Sequence, residues 1–272
     1  MILSRRRIAP LSNVGAWIGA VVLVMVVVIA LVGPWLAPHS PDQPIAAPFT
    51  PPGSGHPLGT DFLGRDVLSR LLWGGRSVLL FAGAATVIAY AVGLAVGLLA
   101  GYSRSWIDPA LMRSVDILLA FPALVFILLL AAALGTGIWS VLLATAVIQV
   151  PGIARIIRTA TLEQSVRGFV EVAVLRGETT PSILRREILP NIAGPISADI
   201  GLRFTWSVIL IASVNFLGLG LQPPAADWGV MVSENRGGLN LNPYAMLAPA
   251  LILGALTVAI NLVSDSLARR YR

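Results

Sequence analysis

The sequence predicts an all-α membrane protein with six transmembrane helices, and three observations carry that prediction. Charge is sparse: 32 of 272 residues are acidic or basic, 12% of the chain, about half of what a soluble domain carries. Hydrophobic residues make up 56% and the mean hydropathy is +0.83, which excludes a disordered chain and argues against a soluble enzyme. The charges are also spaced to leave five uncharged runs, 8–41, 77–103, 117–154, 204–226 and 237–264. Crossing the hydrocarbon core takes about 20 apolar residues, so four runs hold one span each. Leu134-Gly135-Thr136-Gly137 divides the run 117–154 into two. Finally, the basic residues are unevenly placed. With the N-terminus in the cytoplasm, 14 Arg fall inside, and four, Arg65, Arg70, Arg76 and Arg236, fall outside. Both chain ends are therefore expected in the cytoplasm.

The first span, 14–36, follows Arg5, Arg6 and Arg7. Its apolar stretch exceeds the about 7–15 residues of a signal-peptide core, and Trp17 and Trp35 stand near its ends as interfacial anchors do. It reads as a retained helix. Residues 37–60 hold seven prolines and predict an extended outer loop. Together these form an N-terminal segment, 1–54.

Segment 55–77 is expected to be an outer interfacial helix. Leu63, Val67, Leu68, Leu71 and Leu72 share one helical face over 61–76. Asp61 with Arg65 and Asp66 with Arg70 are spaced i,i+4. These four charges either contact a partner outside or simply cap the bundle. The membrane core, 78–266, then holds spans 78–100, 115–134, 139–158, 198–220 and 245–266, before a tail 267–272. On span two, Gly93, Gly97 and Gly101 permit close helix contact, here read as packing within the chain. Pro122 and Pro151 should bend spans three and four.

Polar residues at membrane depth are pathway candidates by default. Gln149, Trp206, Ser213 and Asn215 are such candidates. Arg203, i,i+4 from Asp199 at the end of span five, reads first as a structural pair but joins them as a path-lining candidate.

Several chemistries are excluded. The chain has no Cys and all 19 basic residues are Arg, so thiolate metal sites and a lysine-dependent phosphate loop are impossible. Only His39 and His56 are present, too few for a metal centre. No buried acid–histidine relay suits a proton-coupled pump, and inverted repeats are absent, which disfavours a stand-alone secondary transporter. The basic balance sets orientation and does not point to nucleic acid.

The inner loop 159–192 carries the most punctuation. A short helix should end at Gly177 in the left-handed conformation. Thr180 is placed to cap a second helix, with Pro181 at its first position and Pro190 closing it. Ile183, Leu184 and Ile188 should hold this pair under the bundle, forming a rigid knob suited to a partner's groove.

These residues bear a resemblance. Glu171-x-Ala173-x-x-x-Gly177 followed by Ile188-Leu189-Pro190-Asn191 resembles the EAA coupling motif of ABC importer permeases. His56-Pro-Leu-Gly-Thr-Asp61 with Gly64-Arg65-Asp66, Arg113-x-x-Asp116 with Leu119-Ala120-Phe121-Pro122, Ala154-Arg155 with Arg158, Phe216-Leu217-Gly218-Leu219-Gly220 with Pro223-Pro224 and Trp228-Gly229, and Asn261-Leu262 with Asp265 are similar to the C-type permease subunit of dipeptide, oligopeptide and nickel importers. Val172 stands where the motif usually has Ala, and Glu187 where the family often has His.

The resemblance implies a type I ABC importer permease fold and a non-catalytic role. It implies a second homologous permease, a cytoplasmic ATPase that binds the ATP and Mg itself, an external solute-binding protein and a bacterial inner membrane. This chain would hold no cofactor. Glu171, Ala173, Gly177, Thr180, Pro181, Arg185, Glu187 and Pro190 would form the coupling element. Di- or oligopeptides are the expected cargo, with nickel, a metal chelate or haem as alternatives.

Overall fold

A computed structural model of the chain describes residues 11–103 and 105–270. Arg5, Arg6, Arg7, Arg104 and Arg272, which helped orient the sequence, lie outside the described residues, as do the side chains of Arg269 and Arg270. Among the described residues there is no strand, only three isolated bridges. Five helices are long and apolar enough to cross a membrane, or six if one bent pair counts as a span.

The helices are α1 (Leu11–Leu36), α2 (Val67–Tyr102), α3 (Ile107–Leu119), α4 (Ala123–Leu134), α5 (Ile138–Ser165), α6 (Gly168–Leu175), α7 (Thr180–Ile183), α8 (Leu189–Asn191), α9 (Ala193–Phe216), α10 (Trp228–Asn235) and α11 (Tyr244–Arg270). A π-helical turn, Leu184–Ile188, joins α7 to α8, and a short 3-10 turn follows α10.

The expected outer helix over 61–76 is not a separate element. Residues 61–66 form a turn, and one helix of 36 residues runs from Val67 to Tyr102. Asp66 starts it by accepting from the Ser69 N–H at 2.9 Å. At 1.5 Å per residue α2 is about 54 Å long, well beyond an about 30 Å hydrocarbon core. The Gly74-Gly75 pair does not interrupt it, because both bare positions are contact surfaces. A Cβ at Gly74 would lie 2.8 Å from Trp228, and one at Gly75 would lie 2.6 Å from Ala30.

Lower on α2 the expected intrachain packing is observed. A Cβ at Gly93 would meet Ile153 at 2.7 Å, one at Gly97 would meet Ile157 at 2.6 Å, and one at Gly101 would meet Thr161 at 2.7 Å. Ile153, Ile157 and Thr161 recur every four residues on α5, so the glycine row receives a ridge of side chains. α2 and α5 thus form the axis of the bundle, with α9 packed beside them. α1 lies at the periphery, with only 17% of its apolar window buried.

The predicted span 115–134 breaks instead of bending. α3 and α4 meet at 89°. Pro122 caps α4, and it disfavours helical geometry at the preceding Phe121. Two ion pairs fasten α3 to α5: Arg158 holds Asp108 through two bonds of 2.6 Å, and Arg155 holds Asp116 at 2.5 Å. α5, by contrast, continues through Pro151.

Candidate functional site

Three sets of polar residues occupy three levels of the bundle. At one end is the knob, residues 166–192. α6 turns Val170 and Ala173 inward and Glu171, Val172, Val174 and Leu175 outward. It ends in a Schellman motif: the Gly177 N–H bonds the Val174 carbonyl at 2.9 Å and the Glu178 N–H bonds the Ala173 carbonyl at 3.1 Å. Gly177 has φ +76°, the left-handed geometry expected of it.

The second knob helix begins one residue earlier than expected. Thr179 takes the cap position without a side-chain bond, Thr180 is the first helical residue and Pro181 the second. Pro190 does not close the helix. Having no N–H, it cannot continue an α ladder, and the turn before it widens into the π form, with the Leu189 N–H reaching the Leu184 carbonyl. Helical backbone then runs to Asn191 and breaks at Ile192. Ile183, Leu184, Ile188 and Ile192 are buried beneath.

The knob exposes Val166 at 73% and Leu175 at 80%, and Arg167, Arg176, Arg185 and Arg186 are exposed on it as well. Arg176 lies 3.0 Å from Glu178 and 3.8 Å from Glu187. A cavity of about 550 Å³ opens between Tyr102 at the end of α2, Ser165 and Val166 at the end of α5, and Arg167, Val170, Glu171 and Val174 of the knob. This short helical segment thus exposes apolar side chains together with arginines.

At the opposite end the structure corrects the outer-contact expectation. Asp61, Arg65, Asp66 and Arg70 are all buried, so their charges are used inside this chain. Arg65 Nε donates to Asp61 at 2.7 Å, while Arg65 and Arg70 both donate to Glu234, at 3.1 Å and 3.0 Å. Arg70 also donates to the carbonyls of Pro41, Pro224 and Ala225. Asp66 serves Ser69 instead of the expected Arg70. Burial pushes the Glu234 carboxyl above its ordinary range, against the pull of Arg70 and Arg65.

Beside this cluster, Asp227 caps α10 through the Gly229 and Val230 N–H groups and accepts from Ser77 and Asn215. Complete burial raises its carboxyl above the usual value, partly offset by those four donors. Asn215, expected to line a path, is therefore a buried corner post, since its carbonyl oxygen also accepts the Leu221 N–H at 3.0 Å. Glu234 carried no signal in the sequence because its Arg partners lie far away along the chain, and nothing in the sequence linked Asp227 to Ser77, 150 residues away.

Between the ends, α2, α5 and α9 share a polar seam. Gln149 donates to Ser207 at 2.7 Å and Ser207 meets Thr86 at 2.8 Å. Lower down, Asp199 accepts from Tyr90 at 2.7 Å and from Arg203 Nε at 3.0 Å. The structure thus brings Gln149 and Arg203 to one seam. Trp206 is half-exposed on α9. Ser213 bonds the Ile209 carbonyl in its own helix and borders an apolar groove of about 450 Å³ with Leu124, Phe216 and Leu253. Among the described residues no group of acids and histidines could hold a metal.

A family model described as the inner membrane component of binding-protein-dependent transport systems matches residues 93–272. A second, the N-terminal TM domain of oligopeptide transport permease C, matches residues 11–52. The chain is similar to the di/tripeptide transport system permease protein DppC of Pseudomonas aeruginosa, at 35% identity over 94% of this chain and 86% of that protein. It is also similar to the glutathione transport system permease protein GsiD of Pectobacterium atrosepticum, at 37% identity over 79% of this chain and 72% of that protein. The solved MetNI methionine ABC transporter, in an inward-facing conformation, has a chain of the same fold, with a TM-score of 0.56 and 20% identity over 72% of this chain and 93% of that one.

Proposed function

The chain belongs to the family of inner membrane components of binding-protein-dependent transport systems, and on that premise we propose that it forms half of a translocation path for di- and oligopeptides. It is a multi-pass membrane permease subunit with no catalytic role of its own. The observation that carries the reading is the knob. Bundle helices face lipid with apolar residues as a matter of course, but Val166, Val172, Val174 and Leu175 lie past the ends of the spanning helices. There, exposed apolar surface together with exposed Arg marks a protein partner. We assign that partner as a cytoplasmic ATPase, engaged through Glu171, Gly177 and the segment 180–190, with ATP and Mg held on its side. A second permease completes the path and an external solute-binding protein delivers cargo.

The named relatives support peptide cargo over nickel, chelates or haem. Family membership also displaces a stand-alone secondary transporter. The Arg distribution supports cytoplasmic chain ends, with the knob inside and the Pro-rich loop outside.

The test is reconstitution of this chain with a second permease, an ATPase pair and a solute-binding protein encoded beside it. Uptake of labelled trialanine into proteoliposomes should require ATP on the knob side and binding protein on the other. Uptake driven by an ion gradient without ATPase would overturn the assignment.

A further inference from the structure

Arg203 stands near the middle of α9 (Ala193–Phe216), a helix long and apolar enough to cross a membrane, and not at its end as the expected span 198–220 placed it. Its hydrogen bonds among the described residues run from Nε alone, to Asp199 at 3.0 Å. Asp199 is itself held from α2 by the Tyr90 hydroxyl at 2.7 Å, so the Arg203 stem is fixed from two helices. The two terminal nitrogens are bare. They lie against α5 where Gly152 supplies no side chain: a Cβ there would be 2.5 Å from Nη1 and 2.6 Å from Nη2. On the same helix Gln149 has its Oε1, and Thr145 its Oγ1, buried without a hydrogen-bond partner. Trp206, one turn on from Arg203, is 53% exposed.

A guanidinium with unused donors is not stable against hydrocarbon; at this depth it faces a partner or a water-filled path. The free edge of Arg203 therefore marks which face of the α5–α9 seam borders the path. The chemistry of that edge is specific as well. Two parallel N–H donors on a planar cation match the two oxygens of a carboxylate.

We propose that Arg203, seated on Gly152 and braced by Asp199 and Tyr90, receives the carboxylate of cargo in transit. This deepens the peptide-permease reading above and rests on it. Every linear peptide carries a terminal carboxylate whatever its side chains, so one such fork serves a varied cargo. Asp199 tempers the attraction, because an arriving carboxylate shares the cation with a resident one. A site on a conduction path has to let go as well as hold. Free divalent cations meet the like charge of the fork, which argues against nickel as the ion alone.

The experiment uses the complete transporter in proteoliposomes with its solute-binding protein and compares uptake of trialanine with trialanine amide. Any preference of the binding protein is common to all variants and cancels in the ratio. R203Q should lower acid uptake relative to amide by about tenfold or more, the size of a lost charge-assisted contact, chiefly through KM. R203K, which keeps charge without the fork, should recover part of the ratio. An R203Q transporter with the wild-type acid-to-amide ratio overturns the proposal. So does one whose only defect is weaker co-purification of the two permeases, which would place an acid of the partner on Arg203. If R203Q does not assemble, G152A keeps Arg203 but pushes its nitrogens aside, and the same fall in ratio is expected; an unchanged ratio again overturns it. Should the wild-type transporter take up neither peptide, the peptide reading itself fails, a result distinct from any variant's.

Discussion

Arg70 is the residue on which the outer end of the bundle depends most. It is fully buried, donates to Glu234 and to three backbone carbonyls, and lies 3.5 Å from Asp61. With Arg65 it balances two carboxylates in a space closed to water. Arg70→Met keeps most of the volume but leaves Asp61 and Glu234 sharing one cation, so a loss of about 3–5 kcal/mol is expected. Thermal unfolding in detergent measures it. A change within about 0.5 kcal/mol, typical of surface positions, would mean the cluster is solvated. The i,i+4 spacing correctly paired Asp61 with Arg65, but for the wrong reason, since the pair closes a turn ahead of the helix. Glu234 was invisible because it lies 169 and 164 residues from its Arg partners. The same distance problem hid the role of Asn215: a polar residue on an apolar helix reads as a path candidate until Asp227 appears beside it.

Two elements have their own tests. In the α2–α5 seam the glycine row leaves no room. Gly97→Leu should destabilise the bundle by about 1–3 kcal/mol through overpacking, whereas Gly254→Ala on α11, where a Cβ meets nothing within 4 Å, should not lower the melting temperature. Equal melting of the Gly97 variant and wild type would contradict the close seam. In the knob, Gly177→Val meets no neighbour but forces a β-branched residue to φ +76°, a cost of about 1–2 kcal/mol. The strain falls on α6 alone. The membrane core should therefore melt normally, while stimulation of the ATPase by loaded binding protein drops. Normal stimulation would detach the knob from coupling. The knob was legible because Gly, Thr and Pro punctuate it at short range. α10 was missed: it is eight residues long, has no periodic run to announce it, and starts from an Asp227 cap that only folding brings to Asn215 and Ser77. The continuity of α2 was missed because the uncharged run starts only after Arg76, so the span was begun there although the helix already runs from Val67.

For the molecule as a whole, orientation is the property that the fold alone leaves undetermined, since a helical bundle inserts equally well either way up. What separates the two orientations is the cost of moving Arg across the bilayer during insertion, and the excess of Arg lies at the knob end and the chain ends. The chain has no cysteine, so single-cysteine probes carry no background. Ser54 in the Pro-rich loop and Thr179 in the knob are both exposed, at opposite ends of α2. In intact spheroplasts a membrane-impermeant maleimide should label Ser54→Cys and spare Thr179→Cys, and permeabilised cells should label both. The reverse pattern would invert the molecule. It would place the knob where no cytoplasmic ATPase could reach it, and would thereby overturn the proposed coupling role, which requires ATP and knob to share a compartment.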